Sequence, residues 1–142
     1  MSAAVTLADG RAMWRSNLGV SSMLWLIANE TRADQLRRWL FDVSDRPCGY
    51  LDIDIRGLAP HDQEEFWSAA QRALTMLAEK HGPRFLERKH AHGTNCLASL
   101  LAMRRREVAG EPSLSLSDYA EVLQWDGEKI DLSDLWSDTG GT

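Results

Sequence analysis

Apolar positions recur at helical spacing in three stretches of this chain and alternate with polar ones in a fourth. The longest helical stretch runs from Pro60 to His81, with Phe66, Ala70, Ala73, Leu74, Leu77 and Ala78 on one stripe and Gln63, Arg72 and Glu79 off it. Its ends carry the matching signals. Pro60 suits the first helical position, Asp62, Glu64 and Glu65 suit the positive end, Lys80 and His81 suit the negative end, and Gly82-Pro83 stops the helix. A second helix follows Thr31, which forms a capping-box-like pair with Asp34 and leads into Leu36, Trp39, Leu40 and Val43, ending near Ser44. A third spans about Asn95 to Ala109 behind a Thr94 cap, burying Leu97, Leu100, Leu101 and Val108 and closing at Gly110.

Between the helices, Tyr50 to Arg56 alternates strictly, with Leu51, Ile53 and Ile55 on one face and Asp52 and Asp54 on the other, which predicts a half-buried strand. The run Met23-Leu-Trp-Leu-Ile-Ala28 is apolar on every side, and its shortness before Asn29-Glu-Thr31 favours a second strand. Near the end, Asp126-Gly127 lies between two apolar-rich runs and predicts a hairpin, while Tyr119, Val122 and Leu123 equally fit a short helix. Residues 1–12 and 137–142 read as frayed ends. With no internal repeat and no long linker, the order of elements predicts a single α+β domain over 1–142. About three helices pack on a small sheet in two layers, with an α-only bundle as the competing architecture.

Composition changes this picture little, but the distribution of charge changes it a great deal. The 142 residues include 44% hydrophobic and 26% charged side chains, close to globular averages. No segment approaches the roughly 18 unbroken apolar residues of a membrane span. The first ten residues lack a basic region followed by a sustained apolar one, so the expectation is a cytoplasmic protein without membrane contact. Two cysteines, Cys48 and Cys96, are too few for a disulfide framework and read as small buried apolar groups. The formal charge is −5, yet residues 1–110 sum to +2, and residues 111–142 hold Lys129 alone against eight carboxylates, a local charge of −7. Such a chain repels nucleic acid as a whole and offers one acidic face to a basic partner.

Candidate chemistry is sparse. There is no phosphate-binding Gly-rich loop, no Gly-x-Ser-x-Gly elbow and no His-Glu-x-x-His motif. The densest group of ligand-type residues is His90, His92 and Cys96, in which two imidazoles one residue apart reach a common metal only from an extended segment and need further ligands to complete a zinc site. Asp52 and Asp54, taken with Glu87 and Lys89, resemble the carboxylates and lysine of metal-dependent nucleases that hold Mg²⁺. Arg84 and His90 stand in a spacing that resembles that of HEPN-type ribonucleases. That resemblance implies Arg84 positioning a phosphate, His90 transferring a proton, and an all-helical fold.

The six tryptophans, Trp14, Trp25, Trp39, Trp67, Trp125 and Trp136, are the remaining unusual feature. Trp125 and Trp136 fall within the acidic C-terminal segment, where buried aromatic area and charge steering combine as they do at protein interfaces. Binding therefore ranks above catalysis. The leading expectation is an acidic immunity-type inhibitor that needs no cofactor and covers a basic toxin or enzyme. Trp125 and Trp136 would serve as anchors, with Asp126, Glu128, Asp131, Asp134 and Asp138 as the complementary charges. A nuclease using the His90/His92 region and a homo-oligomeric structural protein are the alternatives.

Overall fold

The computed structural model describes residues 2–45, 51–82, 85 and 92–112. Three strands, β1 (Ser2–Thr6), β2 (Ala12–Ser16) and β3 (Leu51–Asp54), form one sheet in the order β2-β1-β3. β1 pairs antiparallel with β2 and parallel with β3. A parallel pair requires a crossover, and here the connection from β2 to β3 contains two helices, α1 (Asn17–Glu30) and α2 (Asp34–Ser44). α3 (Pro60–His81) and α4 (His92–Val108) follow. An α+β single domain is therefore the architecture, with one helix more than periodicity predicts, and the sheet rules out the all-helical fold implied by the Arg84/His90 spacing.

Residues 2–6 form a strand. β1 is the central strand, and its small and apolar residues Ala3, Ala4 and Val5 are all buried, which suits a position paired on both sides. The β1–β2 turn is closed by Leu7 N–H donating to the Arg11 carbonyl at 2.8 Å, and Gly10 supplies the left-handed φ of +94° that the turn needs. On the inner face, Val5 lies beside Met13 on one side and Ile53 on the other, and all three are buried. β3 is shorter than expected. After Asp54 the chain enters a 3-10 turn, Ile55–Gly57, where Asp54 accepts the Arg56 N–H at 3.0 Å.

The Met23–Ala28 run is helix, not strand. Ser16 caps the start of α1 by accepting the Gly19 N–H at 3.1 Å, and the buried positions Gly19, Val20, Met23, Leu24, Ile27 and Ala28 repeat at three and four residues. The apolar run hides that spacing because it occupies less than two turns, and the polar residues before it carry the cap. α1 is the hub of the domain. It packs on α2, α3 and α4 and touches β1 and β2.

α3 has the predicted boundaries, and its stripe is buried as expected except that Ala78 is half-exposed and Ala69 joins the core. α2 also runs to Ser44, but Thr31 is not its cap. Thr31 closes α1 instead, with its backbone N–H bonded to the Ile27 carbonyl, and Ala33 stands before α2 without a side-chain cap. α4 begins at His92, three residues before the expected start, and Thr94 lies inside it. Its end is a Schellman-type stop, in which Glu111 N–H reaches the Arg106 carbonyl at 2.9 Å past Gly110 at φ +72°. Val108 is not a core residue and is 70% exposed. The predicted hairpin at Asp126-Gly127 and the frayed end at 137–142 lie outside the described residues.

α1 and α4 approach unusually closely because glycine stands at both contact points. A Cβ on Gly19 would lie 2.7 Å from the Cys96 sulfur, and one on Gly93 would lie 2.7 Å from Ser22 Cβ and 3.0 Å from Ser22 backbone carbon. Backbone cannot give way as a side-chain tip can. Gly93→Ala should therefore lower the free energy of unfolding by about 1–3 kcal/mol, the usual cost of forcing atoms into a packed core. Gly57→Ala, where a Cβ meets nothing within 4 Å, should change it by less than about 0.5 kcal/mol. Urea unfolding midpoints of the two variants check the contrast.

Candidate functional site

α3 and α4 are both amphipathic, and each buries one face toward α1 and turns a flank outward. Between the outward flanks lies an open groove of about 860 Å³. Its apolar lining comes from Trp67 and Met76 of α3 and from Leu101 and Val108 of α4. Its cationic lining is Arg72, Arg104 and Arg105, with Glu79 as the acidic exception. Trp67 packs edge-on against Phe66 with ring centroids 5.0 Å apart, and Arg104 stacks over its indole at 5.0 Å. Indole and guanidinium thus brace each other at one end of the groove.

Two ion-pair networks hold the groove walls in place. Arg72 donates to Glu65 at 2.8 Å and to the Glu30 carbonyl at 3.0 Å, while Glu65 also accepts the Arg32 backbone N–H at 2.5 Å and the Thr31 hydroxyl at 3.3 Å. The α1–α2 junction is thereby pinned to α3. Partial burial pushes the Glu65 carboxyl up, but the Arg72 side chain, the Arg32 N–H and the Thr31 hydroxyl outweigh it and leave it below its ordinary value. On the α4 wall, Glu107 pairs with Arg104 and accepts the Asp9 N–H at 2.9 Å, and Arg11 donates to the Glu111 carbonyl at 2.9 Å. Arg11 also bonds the Asp9 carboxylate, holding that carboxyl below its usual range. Arg106 donates to the Pro112 carbonyl at 3.1 Å, so the last described residues are tied to α4 and, through Arg11, to the β1–β2 turn.

The residues singled out from the sequence fare unevenly. Trp125, Trp136, Asp126, Glu128, Asp131, Asp134 and Asp138 lie outside the described residues, as do Cys48, Arg84, Glu87, Lys89 and His90. His92 is exposed at the first residue of α4, beside a hollow of about 590 Å³ that Leu18 and Trp25 also line. Cys96 is buried against Gly19, and burial pushes its thiol up despite the nearby Arg15. Among the described residues no group of three or more His, Cys, Asp or Glu side chains is placed to hold a metal. Asp52 and Asp54 are both exposed, and Asp54 is engaged by Arg56 at 2.8 Å. Of the four described tryptophans none is fully buried, with Trp14 at 45% and Trp25 at 53% exposure.

Comparison of the chain with protein-family models, with curated proteins and with solved structures gave no match. No helix among the described residues is long and apolar enough to cross a membrane. The site therefore stands on its own geometry.

The groove itself is not apparent from periodicity. Trp67 and Met76 sit beside the main stripe of α3, and Val108 reads as part of the core stripe of α4, so only the packed pair reveals a common surface. One signal was present: an aromatic and a methionine on the flank of a helix that already has a complete apolar stripe.

Because the Glu65 carboxyl is held below its unfolded value, its contribution is present above the unfolded pKa and is lost as pH falls through the folded one. Glu65→Gln should cost about 1 kcal/mol near pH 7, and the gap to the wild type should close as pH falls below about 4. Thermal unfolding of both proteins from pH 7 to pH 3 checks this, and a gap that widens toward acid would contradict the network.

Proposed function

We propose that the chain is a small protein-binding module, an immunity-type inhibitor that covers a basic toxin or enzyme with its acidic C-terminal segment in the cytoplasm. The observation that carries the reading is the segregation of charge, with +2 over residues 1–110 and −7 over 111–142. Opposite charge on a partner raises the encounter rate, and desolvated indoles then supply most of the affinity. Trp125 and Trp136 are the anchors, and Asp126, Glu128, Asp131, Asp134 and Asp138 meet the cationic surface. The free, buried thiol of Cys96 suits a reducing compartment. The ties from Arg11 and Arg106 to Glu111 and Pro112 give the acidic segment a fixed point of departure from the body.

Immobilised wild-type chain and its Trp125→Ala and Asp131→Ala variants test the reading against lysate from the same cells. A basic protein retained by the wild type should lose about 2 kcal/mol or more of affinity for the Trp125→Ala chain. Its own activity should fall on stoichiometric addition of the wild type. Equal retention by all three chains would mean that the acidic segment is not the binding face, and retention of nucleic acid alone would replace the reading.

A further inference from the structure

We propose that the groove between α3 and α4 is the docking surface for residues 113–142 of this same chain, which fold back from the end of α4 with an apolar stripe inward and the carboxylates that flank it toward the groove's arginines.

The groove supplies the first argument. Trp67, Met76, Leu101 and Val108 give it an apolar floor, and Val108 is 70% exposed. Over an apolar floor of this kind an amphipathic segment with anchors at i, i+3, i+4 and i+7 is the usual occupant. Leu116, Tyr119, Ala120 and Leu123 have that spacing with Val122 beside them, and Asp118 and Glu121 fall to its sides.

Charge supplies the second. The groove presents Arg72, Arg104 and Arg105 against Glu79, whereas residues 113–142 carry seven carboxylates against Lys129. Arg72 and Arg104 already meet Glu65 and Glu107. A guanidinium has five N–H donors in a fork, so a pair on one edge does not exhaust it. A cationic or neutral peptide would find no such complement here.

Connectivity supplies the third. Val108 and Ala109 line the groove, and Pro112 follows three residues later, at most about 11 Å along the chain. The groove follows α3 from Trp67 to Glu79, about 18 Å at helical rise. Thirty residues remain to cover it. A segment joined so near enjoys an effective concentration in the millimolar range, which no free partner matches. The inference does not depend on an external partner; it states how the acidic segment is held, and it leaves Trp125 and Trp136 beyond the inward stripe.

Hydrogen exchange read by mass spectrometry on the full chain tests it, with the wild type, Val108→Asp and Arg105→Glu compared at low micromolar concentration. In the wild type the amides of 114–125 should exchange at least about tenfold more slowly than an unstructured chain. Val108→Asp puts a carboxylate on the apolar floor and should release most of that protection, while the amides of β1 keep theirs. Should β1 also lose protection, Arg105→Glu decides on the same criterion. Unstructured-chain rates in the wild type would overturn the proposal. So would protection that both variants leave intact, and so would protection that disappears on about tenfold dilution, which would put a second copy in the groove.

Discussion

The close approach of α1 and α4 is the constraint from which the rest of this structure follows. Two glycines, Gly19 and Gly93, remove the side chains that would otherwise separate the helices, and Cys96 and Ser22 fill the space that remains. With α4 seated directly on α1, the core formed by Val20, Met23, Leu24 and Ile27 of α1 and by Leu97, Leu100 and Met103 of α4 excludes water from the domain centre. Close packing of this kind leaves little freedom to relax, so the position of α4 is set by sterics more than by any polar contact.

The outer surface inherits that position. α3 packs on α1 from its own side, and Arg72 and Glu65 lock it to the α1–α2 junction. Two helices held on a common support, with their flanks facing outward, leave a groove between them whose width neither helix determines alone. The same arrangement fixes the chain's exit from α4, because Glu107, Arg11 and Arg106 tie the helix end to the β1–β2 turn and to the residues that follow. A positively charged body and a negatively charged final segment thus meet at a defined point. Both the partner-binding reading and the folding back of the acidic segment begin from that point.

Much of this architecture was legible along the chain, and the exceptions have physical causes. α3 could be read in full because Pro60, Asp62, Lys80, His81 and Gly82 mark its ends and its stripe is narrow. α1 was hidden because a helix surrounded by α2, α3 and α4 is apolar on most sides, and its short run shows no period. The segment from His92 to Cys96 carries ligand-type residues, yet Gly93 and Cys96 are there for their small size, which only the identity of the neighbouring helix explains. Val108 followed the core period and still emerged on the surface, where it lines the groove beside α3. Charge segregation needs no structure to be seen. The groove needs all of it, because its walls lie on helices separated by the chain segment between His81 and His92.

A double-mutant cycle at Gly19 and Cys96 tests the glycine-mediated crossing most directly. Gly19→Ala brings a methyl to 2.7 Å from the Cys96 sulfur, and Cys96→Ala removes that sulfur. If steric contact between α1 and α4 governs the fold, the double variant should be more stable than the sum of the single losses by about 1 kcal/mol or more, as residues in contact couple. Strictly additive losses, within about 0.3 kcal/mol, would contradict the account.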